Sequence, residues 1–207
     1  AHPTIRIGIM NAWPPMDYVD SSGKPQGIGV EFIRAFNKRL NDRLEIVPGT
    51  WDDIYRAVKE KRLDALMDIT PLESREKFFH FTEPYLEVPH LIFTRKDAPT
   101  INTLDELAGM TVGIEKGFYI VQVLHEKYPQ VKVKEYTTTS DVLDALSKGE
   151  VDAYVGNRAG ARFIIEYELI TNVRAQAKIS ETASVNAIGV RKDWPILQSI
   201  LQKVLND

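Results

Sequence analysis

The sequence predicts an α/β protein of two lobes, each a mostly parallel sheet flanked by helices. Two observations carry that prediction. Segments rich in β-branched residues alternate with segments of helical periodicity along the 207-residue chain, as in strands joined by helical crossovers. The second half then repeats the first in the same order. Asp53, Ala57, Asp64 and Ala65 match Asp141, Ala145, Asp152 and Ala153, and Ile5-Arg6-Ile7-Gly8-Ile9 matches Met110-Thr111-Val112-Gly113-Ile114.

The first strand, with Ile5, Ile7 and Ile9, stops at the breaker cluster Trp13-Pro14-Pro15. A polar stretch from Asp17 to Gly27 follows, then a helix with Phe32, Ile33, Phe36 and Leu40 on one face. Leu44 to Val47 reads as a short strand, Asp52 to Lys61 as a helix and Leu63 to Ile69 as a buried strand. In the second half, Met110 to Ile114 is a strand and a helix runs to about Tyr128. Val131 to Tyr136 (strand), Ser140 to Lys148 (helix) and Val151 to Val155 (strand) complete the repeat. Val185 to Val190 returns as a strand to the first lobe. The last helix has Asp193 as its N-cap, Pro195 in its first turn and an apolar face of Ile196, Leu197, Ile200, Leu201 and Val204. The expected lobes are residues 1–94 with 185–207, and 97–182, with hinges near 94–97 and 180–185.

Composition removes several function classes. With 26 basic against 29 acidic residues the formal charge is −3, which gives no footprint for nucleic acid and no basic face for an anionic membrane. The absence of cysteine excludes disulfides, thiolate zinc sites and cysteine nucleophiles, and suits a periplasmic protein as well as a cytosolic one. No run approaches the roughly 18 apolar residues of a membrane span, and Ala1-His2-Pro3 lacks a signal-peptide pattern. His2, His80, His90 and His125 are scattered without metal-ligand spacing and read as structural or surface residues. No metal, cofactor or catalytic residue is expected.

In open α/β sheets ligands sit beyond the carboxyl ends of the strands. The repeat nominates those ends: Met10 to Trp13 and its twin Glu115-Lys116-Gly117-Phe118, and Asp68-Ile69-Thr70 with its twin Gly156-Asn157-Arg158. Two lobes facing each other with these ends would hinge over a solute. Arg75, just past the strand ending at Ile69, carries a planar fork suited to a carboxylate or phosphate; solvation, or pairing with Glu73 or Glu83, is the other reading. Gly117-Phe118-Tyr119 opens a helix whose backbone N–H groups favour an anion, unless the glycine only makes the turn. Trp13 and Trp51 are flat walls for a ligand or core residues under a loop. Asn157 is a ligand contact or a helix N-cap.

The motifs Trp13-Pro14-Pro15-Met16-Asp17-Tyr18, Gly27-Ile28-Gly29-Val30-Glu31-Phe32, Leu63 to Thr70, Arg75 before Phe81-Thr82-Glu83-Pro84-Tyr85, Leu107 to Gly113 and Val151-Asp152-Ala153 together resemble the periplasmic solute-binding proteins of family 3, the polar amino-acid class. Thr70-Pro71 with Arg75, Tyr154 to Asn157, and Val190 to Leu201 resemble most the Venus-flytrap sensor domains of bacterial hybrid histidine kinases. The resemblance implies a type II periplasmic-binding-protein clamshell outside the cytoplasm. Arg75 would hold a ligand carboxylate, Thr70 and the carbonyl of Asp68 would hold polar ligand atoms, the turn at Gly117 would supply backbone donors, and Trp13 and Trp51 would flank the ligand. Partners implied are a small carboxylate or amino acid, and a membrane receptor with neighbouring flytrap domains or a dimer partner. A free binding protein of an amino-acid ABC transporter is the alternative, and a cyclohexadienyl-dehydratase-like enzyme, with Glu115 or Asp68 as its acid, a third. The chain departs from the amino-acid binders in one respect: neutral Asn157 stands where they commonly place an acid for the ligand ammonium. Asp68 could restore that charge.

Overall fold

The computed structural model describes residues 4–206; His2 lies outside them. The chain divides into two compact units, Ala1–Glu87 with Val185–Asp207, and Val88–Ser184. In chain order the first unit holds strand β1 (Ile5–Met10), a three-stranded antiparallel ribbon of β2 (Ala12–Trp13), β3 (Asp17–Val19) and β4 (Pro25–Gln26), helix α1 (Ile28–Leu40), β5 (Leu44–Gly49), α2 (Trp51–Lys59), β6 (Ala65–Ile69), the short α3 (Glu73–Glu76) and β7 (Phe79–Phe81). Strand β8 (Leu86–Arg95) enters the second unit, which continues with β9 (Thr111–Glu115), α4 (Tyr119–Lys127), β10 (Lys132–Tyr136), α5 (Thr139–Lys148), β11 (Ala153–Asn157) and α6 (Arg158–Tyr167). Strand β12 (Val173–Arg191) leads back to the first unit, which α7 (Pro195–Asn206) completes.

The two units are built alike. In the first, β1 lies parallel to β5 and β6, and β12 runs antiparallel to β6. In the second, β9 lies parallel to β10 and β11, and β8 runs antiparallel to β11. Ile7, Ile9, Ala65 and Met67 of the first sheet share a core with Val30, Ile33 and Phe36 of α1 and Leu197 and Leu201 of α7. Val112, Ile114, Ala153 and Val155 occupy the same place in the second unit, against Ile120, Val123 and Leu124 of α4. Sheets covered on both faces require strands that are nearly continuously apolar, and that is how β6 and β11 read.

The residues that repeat do the same backbone work in each unit. Thr50 and Thr138 cap α2 and α5, accepting from the N–H groups of Asp53 and Asp141 at 3.3 and 3.1 Å. Their hydroxyls in turn donate to those aspartates, each at 2.7 Å. Asp64 and Asp152 each accept from the first residues of the neighbouring strand, Arg6 N–H and Thr111 N–H, both at 2.8 Å. Gly8 and Gly113 let the helices approach: an added Cβ would lie 3.0 Å from Ile54 Cβ in one unit and 2.8 Å from Val142 Cγ1 in the other. Repetition of sequence is here repetition of a cap, a pin and a close contact.

Three expectations need correction. The first boundary is at Glu87/Val88 inside β8 and not at 94–97, because β8 already pairs with β11 at His90; the turn after Arg95 merely ends the strand. The strands read as 63–69 and 151–155 begin at Ala65 and Ala153, since Asp64 and Asp152 are pins and not ladder residues. Asp193 turns its carboxylate to Arg191 at 2.8 and 2.9 Å and to Lys61 at 2.9 Å, and so does not serve as the α7 cap. Among the described residues no helix is long and apolar enough to cross a membrane.

Gly113→Ala drives a methyl into Val142, which is fully buried. Overpacking of this kind destabilises by about 1–3 kcal/mol. Urea unfolding followed by circular dichroism should show that loss, and Val142→Ala added to Gly113→Ala should show less than the sum of the two single losses.

Candidate functional site

Strand β6 is buried at all five residues, and its carboxyl end carries the candidates of the first unit. Asp68 has φ 56, a left-handed conformation that aspartate tolerates better than most residues. The twist turns the chain out of the strand, so Thr70 is half-buried and α3 begins three residues later at Glu73. Arg75 on that helix is 8% exposed. Its Nη1 donates to the Thr70 carbonyl at 2.9 Å, and its guanidinium lies 5.2 Å from the Trp51 ring centroid and 5.8 Å from that of Tyr55. Trp51 and Tyr55 stand one turn apart on α2, their rings 5.7 Å apart, so one helix face and one carbonyl fix the orientation of the guanidinium. Burial pushes the Arg75 pKa down and the nearby Tyr55 pushes it back. An anion bound there would act in the same direction as Tyr55, by favouring the charged form.

Trp51 is thus half-buried beside Arg75, as a flanking aromatic should be, while Trp13 is buried. Ile69 is a core residue. Asp68, 5% exposed, is turned into the first unit. Its Oδ1 accepts from the Tyr85 hydroxyl at 2.7 Å and from Asn186 Nδ2 at 2.8 Å, and its N–H donates to the Tyr85 oxygen at 3.1 Å. This geometry suits a residue that positions the strand end better than one that meets an ammonium.

In the second unit the turn after β9 places Lys116 and Gly117 at the surface and leaves Phe118 and Tyr119 half-buried. Gly117 has φ 74, a value that favours glycine. Its N–H donates to Glu135 Oε2 at 3.3 Å, so the expected anion donor already faces a carboxylate, and the case for an anion at this turn is weaker than the sequence suggested. Glu115, at the end of β9, is buried; its Oε1 accepts from Thr139 at 2.6 Å and from the Tyr154 hydroxyl at 2.8 Å. Burial pushes its carboxyl upward against those hydrogen bonds.

Asn157 does one of the two things read from it and leaves half of itself for the other. As the N-cap of α6 its Oδ1 accepts from Ala159 and Gly160 N–H at 2.9 and 3.0 Å. Two backbone donors identify that atom as the oxygen. The Nδ2 is therefore a buried donor, without an acceptor among the described residues. A donor suits a solute oxygen and cannot receive an ammonium.

Sequence reasoning missed Tyr55, although Trp51 and Tyr55 at helical spacing were a usable signal. It also missed Tyr85 and Asn186, which meet Asp68 from distant segments, and the environment of His90. His90 is buried with its two ring nitrogens 3.0 Å from Thr182 Oγ1 and 2.9 Å from Ser184 Oγ. Among the described residues no group of three or more potential metal ligands gathers.

A family model for bacterial extracellular solute-binding proteins, family 3, matches residues 5–207. The L-cystine-binding protein TcyJ of Escherichia coli K12 is 26% identical over 165 residues, which are 79% of this chain and 62% of that protein. The virulence sensor protein BvgS of Bordetella pertussis Tohama I is 22% identical over 205 residues, 99% of this chain and 17% of BvgS. The chain thus spans less than two thirds of either relative. Among solved structures, a histidine kinase sensor domain with similarity to periplasmic binding proteins matches with a TM-score of 0.94 at 29% identity, covering 99% of this chain and 90% of that one.

Burial lowers the His90 pKa from 6.5 to about 4. A depressed value means that the unfolded chain takes up a proton that the folded one refuses, so this contribution to stability is present above about pH 6.5 and is lost as pH falls towards 4. Thermal midpoints measured between those values should fall more steeply with acid for the wild type than for His90→Gln.

Proposed function

Because the chain belongs to family 3 of the bacterial extracellular solute-binding proteins, we propose that it is the ligand-binding part of an extracytoplasmic sensor for a small carboxylate-bearing solute, and that Arg75 holds the carboxylate. The observation that carries the proposal is the Arg75 guanidinium, buried, oriented by Trp51, Tyr55 and the Thr70 carbonyl, and placed just past the carboxyl end of β6. A charge held out of water in a fixed fork geometry is a receptor for a planar anion. Trp51 supplies a flat apolar wall beside it and Thr70 a hydroxyl. In the second unit Asn157 Nδ2 is the candidate contact, and as a donor it suits a carboxylate, hydroxyl or carbonyl oxygen on a solute. Lys116 and the turn through Gly117, Phe118 and Tyr119 are secondary candidates, given the Glu135 contact.

The sensor reading is supported by the likeness to a histidine kinase sensor domain over nearly the whole of both chains; signalling to a kinase belongs to the proposal. The likeness to an L-cystine-binding protein supports the second reading, an amino-acid-binding protein that is not part of a sensor. Binding without catalysis is supported by the two strand-end carboxyls, Asp68 and Glu115: each is buried and hydrogen-bonded to a tyrosine hydroxyl, an arrangement that positions and does not transfer protons to a solute.

Calorimetric titration with a panel of L-amino acids and of carboxylates of matching size that lack the α-ammonium checks this. The best ligand should lose about 2 kcal/mol or more of binding free energy in Arg75→Ala, as expected when one partner of a buried charge pair is removed. Arg75→Lys should recover only part, because an ammonium cannot make the bidentate fork. Unchanged affinity in Arg75→Ala would remove the anchor from the proposal.

A further inference from the structure

Two buried carboxyl groups of the first unit, Asp17 and Asp68, meet at the candidate ligand strand. Asp17 on β3 is fully buried, and neither its carboxyl oxygens nor Asp68 Oδ2 makes a well-formed hydrogen bond among the described residues, the Val30 N–H approaching Asp17 without completing one. The two carboxyl groups converge on one residue. Gly29 of α1 touches both: a Cβ there would be 2.5 Å from Asp17 Oδ1 and 3.0 Å from Asp68 Oδ2. Asp68 Oδ1 already accepts two hydrogen bonds, so the oxygens left to be filled are Asp68 Oδ2 and the two of Asp17, and one proton among them would fill that gap.

We propose that Asp17 and Asp68 share a single proton and act as one positioning group, which ties the ribbon, the N-terminus of α1 and the returning strand β12 to the point where β6 releases Thr70 and Arg75. The groups facing the pair support one net negative charge and no more. From α1 come Gly29 and the Val30 N–H, in the first turn of a 13-residue helix whose positive end favours an anion. The segment before β8 contributes the Tyr85 hydroxyl and β12 the neutral amide of Asn186. Besides the two aspartates, Tyr85 is the titratable group in contact, and burial together with both aspartates pushes its hydroxyl upward, so it stays a donor. Burial, then the Asp68 charge and hydrogen bond, push the Asp17 carboxyl well above the usual carboxylate range; the Val30 N–H opposes them. Two like charges this close and this dry cannot both persist. Loss of the shared proton sets the carboxylates against each other, and the joint that yields is the β6 end. The consequence for ligand binding rests on the reading of Thr70 and Arg75 above; the shared proton itself does not.

The sign follows from the raised carboxyl: the folded chain keeps a proton that the unfolded chain gives up, so this stability is complete below about pH 4 and declines as pH rises towards the raised value. His90 pulls the other way over part of that range, so wild type and variants are compared at each pH. Asp17→Asn and Asp68→Asn each leave one carboxylate and one amide. In either variant the unfolding constant should lose a factor of about ten per pH unit of pH dependence relative to wild type between about pH 5 and the raised pKa. Above the raised value, exchange of the backbone N–H groups of residues 69–75, Pro71 apart, should slow in the variants relative to wild type. Independently of any substitution, infrared spectra of wild type carrying carbon-13 aspartate carboxyls should show a protonated carboxylic carbonyl stretch at neutral pH that shifts with the label, which separates it from Glu115. All three readouts are taken without ligand, so a failed ligand titration leaves them standing. Absence of the labelled band at neutral pH, or pH profiles of wild type and variants that run parallel, overturns the proposal.

Discussion

The carboxyl end of β6 is the fixed point on which the candidate site depends. The strand is buried throughout and paired along both edges, so its end cannot drift without disturbing the sheet. At Asp68 the backbone enters the left-handed region, an arrangement that costs about 1–3 kcal/mol for a residue other than glycine and persists only where neighbours over-determine it. They do so here: a hydroxyl from Tyr85 meets both the backbone and the side chain of Asp68, and Asn186 approaches from β12. Thr70 and Arg75 inherit their positions from that joint, and the Thr70 carbonyl then fixes the guanidinium it helped to place.

Comparison of the two units separates scaffold from site. The caps at Thr50 and Thr138, the pins at Asp64 and Asp152 and the close contacts at Gly8 and Gly113 are the same in both. The caps belong to the starts of helices, the pins to the starts of strands and the glycines to strand interiors. The carboxyl ends differ: β6 ends in a buried acid inside a hydrogen-bond network, and β11 in an amide that caps a helix and keeps one donor in hand. A duplicated framework with divergent strand ends is what is expected when selection holds folding constant and changes recognition.

That division also explains what could be read from the sequence. Caps, pins and glycine contacts depend on local geometry, so they recur at fixed spacing and are visible as a repeat; the two-lobe reading and the nomination of the strand ends came from it, and the α/β class from the alternation of strand and helix patterns. Arg75 and Trp51 could be nominated because their chemistry is conspicuous near a strand end, and the two are in contact. The Asp17, Asp68, Tyr85 and Asn186 cluster was not, since Asn186 lies 118 residues from Asp68 and no local pattern announces a pairing of that range. The first boundary between the units was illegible for a different reason: it falls within a continuous strand, which Pro89 does not break.

The same joint bears on what kind of solute Arg75 can hold. Two full negative charges on the aspartates behind β6 would oppose an anion at Arg75, and in a poorly screened interior such opposition extends well beyond contact distance. One shared proton halves that charge, and the positive end of α1 and the Tyr85 and Asn186 donors absorb much of the remainder. The buried acid therefore serves as an anchor for the backbone without becoming a receptor for an ammonium, in keeping with the anionic solute group proposed for Arg75. Asn157 offers a donor as well, so the polar candidates of each unit, taken by itself, suit solute oxygens, which is the chemistry of the carboxylate proposed above.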